Sequence, residues 1–189
     1  GRYLDVDGDG VGYRTLPGTH PDKGAFFTRG TSRDEYAAYT ESPEAYQRNM
    51  ERLQLKWQTA RQLVPRADIT GRGGSVGVLY YGTTALPIPE ALDKLAVNGI
   101  HLDTCRVRGF PFGDEVETFV AQHDLIFVVE QNRDGQMRTL LINELQTNPA
   151  KLIPILYFAG LSISADFIDE QISAYYEEHK LARLTEVKS

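Results

Sequence analysis

Between Ser75 and Tyr157 the chain alternates four short apolar runs with amphipathic segments of helical character, and this alternation constrains the fold more than any other feature. Ser75 to Tyr81, Ile100 to Val107, Leu125 to Glu130 and Lys151 to Tyr157 read as strands. Pro87 to Val97, Gly113 to His123 and Gly135 to Leu145 read as the helices between them. Strands joined through helices must re-enter the sheet in the same direction, so the sheet is parallel or mostly parallel, with right-handed crossovers and helices on both faces. The predicted class is therefore α/β, a mostly parallel three-layer sheet over residues 67 to 172. A last amphipathic helix starts at Ser164-Ala165-Asp166, and Glu177 to Ser189 reads as a charged, solvated tail.

The segment before the sheet follows a different pattern. Residues 1 to 40 are rich in Gly, Asp, Thr and Tyr and hold no sustained period, which predicts a loop-rich arm. Ser42-Pro43-Glu44 then combines a hydroxyl N-cap, a proline at the first helical position and an acid in the first turn. From there Tyr46, Met50, Leu53, Trp57, Ala60 and Val64 recur at steps of four and three, one apolar stripe of an amphipathic helix ended by Pro65. That stripe is expected to pack against a sheet or a neighbouring subunit. The abrupt start at Gly1-Arg2-Tyr3 leads us to expect the C-terminal part of a longer polypeptide.

Composition narrows the function classes. A net charge of −6 and a pI near 5.2, with no basic run, argue against nucleic acid as a partner. No apolar stretch is long enough to span a bilayer and no signal-peptide h-region opens the chain, so a cytoplasmic location is expected. The single cysteine, Cys105, allows neither an internal disulfide nor a cysteine-ligated cluster held by this chain alone. Its place in the alternating run 100–107 reads as a core strand thiol rather than a nucleophile.

Several motifs carry chemistry. Asp5-Val6-Asp7-Gly8-Asp9-Gly10 matches the first half of a calcium loop, but the twelfth position is Leu16 instead of a bidentate Glu; an acidic turn and a divalent-ion site held by Asp5, Asp7 and Asp9 both stay open. Gly73-Gly74-Ser75-Val76-Gly77 satisfies the G-x-S-x-G spacing, yet the apolar run follows the serine instead of preceding it, which is the wrong order for a nucleophile elbow. Gly71-Arg72-Gly73 likewise precedes its strand and fails as a dinucleotide fingerprint. Tyr13 to Pro21 brings Arg14, Thr19 and His20 into one Gly/Pro-shaped loop, and Phe26 to Arg33 repeats that chemistry with Arg29; guanidinium forks of this kind recognise carboxylate or phosphate. His101, His123 and His179 stand singly and read as structural. Finally, Phe127 to Gln136 is an apolar strand emptying into a polar loop that opens a helix, the junction where open α/β sheets meet ligands and neighbours. There Asn132, Gln136 and the amides after Gly135 could meet an anion or a partner surface, and Glu130 could serve as a base or an ion-pair partner; a turn that merely caps the helix is equally open.

Read in order, Tyr3 to Gly10, Tyr13 to Pro21, Phe27 to Ser32, and Glu130-Gln131-Asn132 with Gly135-Gln136 resemble the alpha subunit of 2-oxoacid:ferredoxin oxidoreductases, the 2-oxoglutarate branch in particular. The resemblance implies that residues 1–66 are the end of a pyrimidine-binding thiamine diphosphate domain plus its connecting helix. Residues 67–189 would then be similar to the transketolase C-terminal domain. It implies coenzyme A-dependent oxidative decarboxylation of 2-oxoglutarate to succinyl-CoA and CO2 with ferredoxin reduction, reversal being open. Thiamine diphosphate, magnesium and the iron-sulfur cluster would be bound mainly by a beta subunit, with coenzyme A as co-substrate. Partners would be that beta subunit, the upstream part of the alpha subunit, and ferredoxin. No catalytic residue is expected within this stretch; Arg14, Thr19, His20 and Arg29 are expected to face the substrate side, and Glu130, Asn132, Gly135 and Gln136 to shape an interface. Where such relatives carry a histidine after the Thr-Ser pair this chain has Arg33, so no imidazole role transfers there. The alternative from another class is a non-catalytic assembly or small-ligand-binding α/β module.

Overall fold

A computed structural model describes residues 1–13, 16–22, 24 and 32–181, and divides the chain into two units, Gly1–Val64 and Pro65–Ser189. In the second unit five strands form one sheet in the order β1-β3-β2-β4-β5: β1 (Asp68–Thr70), β2 (Val76–Tyr81), β3 (Asp103–Val107), β4 (Leu125–Glu130) and β5 (Leu152–Leu156). β2, β3, β4 and β5 run parallel, while β1 pairs antiparallel with β3. With α1 (Pro43–Leu63) in the first unit, the helices are α2 (Ile88–Val97), α3 (Asp114–Gln122), α4 (Gln136–Leu145) and α5 (Ala165–Glu178).

The alternating sides of each strand feed two cores, as a pleated strand requires. Val78, Tyr80, Phe127, Val129 and Ile155 meet Ile88, Ala91 and Leu95 of α2 and Ile168 and Ile172 of α5. On the other face Leu79, Cys105, Val107, Ile126, Val128 and Leu152 meet Val116, Phe119 and Val120 of α3 and Leu141 of α4. The mostly parallel three-layer class expected from the sequence is the one observed. Pro154 sits in β5, an edge strand, where a missing ladder donor is tolerated.

Three elements differ from expectation. β1 was not foreseen: it is three residues long and exposed throughout, so no alternation announces it. The strand expected from Ile100 begins only at Asp103, because Gly99, at φ 72°, and Ile100 instead close α2; the Gly99 amide donates to the Ala96 carbonyl and the Ile100 amide to the Leu95 carbonyl, a helix end with a left-handed glycine. Glu177 and Glu178, expected to open a tail, belong to α5 instead; residues 182–189 lie outside the described residues.

In the first unit α1 starts where its capping sequence places it, with the Ser42 hydroxyl accepting from the Ala45 amide at 3.2 Å. The arm is secured by the polar side of this helix. Asn49 donates to the Arg33 carbonyl, Arg52 to the Gly10 carbonyl at 2.8 Å, Thr59 to the Asp9 carbonyl, and Arg48 pairs with Glu35. Along the apolar stripe Tyr46, Met50, Leu53 and Trp57 keep 38 % to 48 % of their surface, while Ala60 and Val64 are half-buried. No helix among the described residues is long and apolar enough to cross a membrane.

Gly10 brings the arm close against the helix. It has φ +79°, and a Cβ there would stand 2.3 Å from the Lys56 amide nitrogen. Gly10→Ala is expected to cost at least about 2 kcal/mol of the arm's docking, from left-handed strain added to the clash. Hydrogen exchange should show the amides of Gly8, Gly10 and Val11 losing protection while β2 and β4 keep theirs.

Candidate functional site

The chain passes from β2 outward to β3 and then crosses back to β4 on the other side of β2, so the topological switch point lies between β2 and β4. In open α/β sheets the crevice at the carboxyl ends of two such strands is the expected working edge. Here it is bridged by the protein's own side chains. Gln131, the residue after β4, donates to the hydroxyls of Thr83 and Thr84 at 3.1 Å each, in the 3-10 turn Gly82–Ala85 that follows β2. Its side-chain oxygen Oε1 accepts the Ile163 amide at 3.3 Å, which ties in the loop leading to α5.

Glu130 ends β4 and is fully buried. Its carboxylate accepts the Met137 amide at 2.7 Å, the Arg138 amide at 3.0 Å and the Asn132 side-chain amide at 2.8 Å. The α4 N-terminus, with its dipole and unpaired amides, is therefore filled from within. Gly135 makes the entry possible at φ 61°, in the left-handed region, and its carbonyl accepts the Thr139 amide. Asn132 completes the turn, its side-chain oxygen accepting the amides of Asp134 at 3.1 Å and Gln136 at 3.3 Å while its nitrogen also reaches the Tyr81 hydroxyl. Burial first, and then the neighbouring Glu130 charge, push the Tyr81 hydroxyl above its ordinary range. Glu130, Asn132, Gly135 and Gln136 are thus brought together as one closed turn.

The other residues singled out in the sequence lie in the first unit. The carboxylates of Asp5, Asp7 and Asp9 gather, each offering one oxygen within 4.8 Å of the others. They are already engaged: Asp5 accepts the Gly8 and Gly10 amides, Asp9 the Val11 amide, and Asp7 the Tyr13 hydroxyl at 2.9 Å. That last bond raises the Tyr13 hydroxyl above its usual range. Thr19 and His20 occupy an exposed turn, with His20 Nδ1 accepting the Asp22 amide at 3.1 Å. Arg14 and Arg29 lie outside the described residues.

Sequence reasoning passed over a second buried carboxylate, at the opposite end of the sheet. Asp103, the first residue of β3, accepts the amides of Arg72 at 2.8 Å, Gly73 at 3.0 Å and Gly74 at 2.9 Å, and meets His123 Nε2 at 3.3 Å. Burial acts to raise the Asp103 carboxyl, but the Arg72 and Gly74 amides and His123 outweigh it and hold the group below its ordinary 3.8. The available signal was slight: an acid opening a strand, with the glycine turn that it binds 29 to 31 residues earlier in the chain.

This donor set bears on cofactors. Cys105 is buried, and burial pushes its thiol up to about 12, so it offers no thiolate to a cluster that needs several. The α4 amides suited to a diphosphate are spent on Glu130. The described residues therefore fit neither an iron-sulfur cluster nor the diphosphate of thiamine at this helix.

The fold and its switch-point edge define a class: a three-layer, mostly parallel α/β domain in a chain that also carries a second, arm-and-helix unit. The chain is homologous to part of the alpha subunit of 2-oxoacid:ferredoxin oxidoreductase. It is 30 % identical over 146 residues, 74 % of its length, to the alpha subunit of 2-oxoacid:ferredoxin oxidoreductase 2 from Aeropyrum pernix, and spans 22 % of that relative. In fold it is similar to the 2-oxoglutarate:ferredoxin oxidoreductase of Magnetococcus marinus solved with 2-oxoglutarate, coenzyme A and succinyl-CoA bound, at a TM-score of 0.75 and 20 % identity; the match covers 91 % of this chain and 30 % of that one. The alpha chain of a probable 2-oxoacid ferredoxin oxidoreductase from Thermoplasma acidophilum aligns over 59 % of this chain and 97 % of its own at 20 % identity, with a TM-score of 0.39. No protein-family model matches the chain.

Replacing Glu130 by Gln removes the charge and turns a donor toward amides that need an acceptor. A loss of about 2 kcal/mol is expected, the scale of a buried charge-assisted hydrogen bond, read by urea unfolding with the Met137 and Arg138 amides exchanging first. Asp103 gives a pH signature. Its folded value lies below the unfolded one, so its contribution is complete above the ordinary 3.8 and is lost as pH falls through the folded value. Asp103→Asn should lower stability at neutral pH and flatten the acid limb of a stability-pH curve.

Proposed function

We propose that this chain is the alpha-subunit portion of a thiamine diphosphate-dependent 2-oxoglutarate:ferredoxin oxidoreductase, which forms succinyl-CoA and CO2 and reduces ferredoxin. The observation that carries the reading is the 30 % identity over 146 residues to an alpha subunit of that enzyme class. The fold likeness is consistent with it. The chain does not hold the reaction's cofactors in this reading. In this reading thiamine diphosphate, magnesium and the iron-sulfur cluster are held mainly by the beta subunit, and the catalytic pyrimidine pocket by the upstream part of the alpha subunit; a single buried cysteine and an internally filled helix N-terminus support it.

Its own contribution is placement. The loops after β2, β4 and β5 are knotted by Gln131 and Asn132, and beside that knot Leu86, Phe158 and Leu161 stand exposed. A stiff turn rimmed by open apolar side chains suits a partner surface better than a ligand crevice. The open stripe of α1 suits the same use. In the arm, Arg14, Thr19, His20 and Arg29 supply the guanidinium and hydrogen-bonding chemistry that fits the carboxylates of 2-oxoglutarate. The cytoplasm is the compartment that this chemistry fits.

Coexpression with a beta subunit and the upstream alpha region is expected to yield a brown complex containing thiamine diphosphate that oxidises 2-oxoglutarate. In that complex Arg14→Ala or Arg29→Ala should raise the KM for 2-oxoglutarate about tenfold or more, the cost of removing a charge-assisted contact. Unchanged KM and kcat in both variants would retire the substrate roles. A colourless monomer that binds one small ligand and recruits no partner would favour the non-catalytic module instead.

A further inference from the structure

The amino end of the sheet holds a device that the proposed reaction does not use. His123, the residue closing α3, is 4 % exposed and contacts two oxygens: its Nδ1 lies 2.7 Å from the Phe119 carbonyl and its Nε2 lies 3.3 Å from the Asp103 carboxylate. A carbonyl can only accept, so Nδ1 must carry a proton. The Asp103 carboxylate already accepts three amides and is an acceptor too, so Nε2 must carry one as well. Either neutral tautomer sets a ring lone pair against an oxygen. Only the doubly protonated ring satisfies both contacts.

The ring has little freedom to turn away. It lies against Phe119 with centroids 4.0 Å apart, and its Cδ2 is 3.2 Å from where a Cβ on Gly77 would stand. The charged groups around it are few. β3 supplies Asp103, the β1–β2 turn supplies Arg72, α3 supplies Glu115, which accepts the Ala67 amide, and Asp124 follows in the chain; the Lys151 ammonium, a cation that opposes the imidazolium, donates to the Val120 carbonyl next to the one His123 meets, and the facing residues Val76 and Gly77 of β2 carry no charge. Glu115 and His123 line a cavity of about 440 Å³ together with Ile69, Gly71, Thr118 and Gln122, which gives the turn space to move into.

What the carboxylate holds is the glycine turn that returns the antiparallel edge strand to the sheet. β1 is exposed along its whole length, and beyond its short ladder its side-chain ties are the exposed pairs of Asp68 with Arg106 and Arg108, which are of small worth. We propose that Asp103, His123 and the 71–74 turn form a proton-dependent clasp on β1, closed by the imidazolium and loosened when the ring loses one proton. Deprotonation would place a lone pair of His123 against a carboxylate that three amides need, and the turn would yield before the packed ring does. Histidine is the side chain whose charge ordinarily changes near neutrality, which is the property such a clasp would use.

Nuclear magnetic resonance of the isotopically labelled 189-residue chain, from about pH 5 to 8, tests this directly. At the acid end both His123 ring nitrogens should give imidazolium signals. The Arg72, Gly73 and Gly74 amides should then shift with the ring's own midpoint, their exchange rising about tenfold as it deprotonates, the worth of roughly one charge-assisted hydrogen bond. A ring that titrates while those amides stay still, or one that is neutral at the acid end with the turn intact, overturns the proposal. His123→Gln supplies a control: the amides should no longer follow pH, and amides that still titrate as in the parent chain also overturn it. Should that variant fail to fold, the parent titration decides alone.

Discussion

A buried carboxylate at each end of a parallel sheet is the constraint around which the second unit is built. Strands that all run one way gather unpaired backbone amides where turns and helices begin, and those amides need acceptors once they are covered. At the carboxyl end Glu130 takes the first amides of α4; at the amino end Asp103 takes the amides of the Arg72-Gly73-Gly74 turn. Each acid joins a strand terminus to a neighbouring turn. Removing either takes the charged acceptor from two or three partly buried amides at once.

The two ends differ in what surrounds the acid. Around Glu130 the loops after β2, β4 and β5 are stitched by neutral amide and hydroxyl groups from Gln131, Asn132, Thr83 and Thr84, none of which titrates near neutrality. That edge is stiff, and exposed Leu86, Phe158 and Leu161 stand beside it. Around Asp103 the stitching includes an imidazole, and the strand it secures is short and exposed. One end is made for a fixed contact and the other for a conditional one. A fixed edge would serve the assembly proposed above, and a single buried cysteine and a filled helix terminus offer little to an iron-sulfur cluster or a diphosphate.

Much of the fold was legible because periodicity is strong in the long elements. The four parallel strands and helices α2 to α5 follow directly from alternating apolar runs, and the capping sequence Ser42-Pro43-Glu44 marks the start of α1. β1 carried no such signal: three exposed residues have no buried face to reveal them. Ile100 looked like strand because it is apolar and buried, but burial was satisfied by closing a helix. On α1 the apolar stripe drew attention, whereas the contacts that position the arm come from Asn49, Arg52 and Thr59, polar residues that ordinarily read as solvated. At the candidate site the sequence marked the loop after Glu130 correctly as a junction. It could not show that Glu130 folds back into its own helix, because that depends on a left-handed Gly135 bringing residues 130 and 138 together. The Asp103–His123 pair was hidden for a similar reason, its members being separated by a whole helical crossover.

We propose that the carboxyl edge of the sheet is a preformed assembly surface rather than a ligand crevice. Hydrogen-exchange mass spectrometry of the chain alone and within its reconstituted complex measures this most directly. New protection over residues 82–87, 131–135 and 157–163, with the amides of α4 already protected in the isolated chain, is the result the account predicts. An unchanged carboxyl edge in the complex, or α4 amides that become protected only when substrate or cofactor is added, would contradict it.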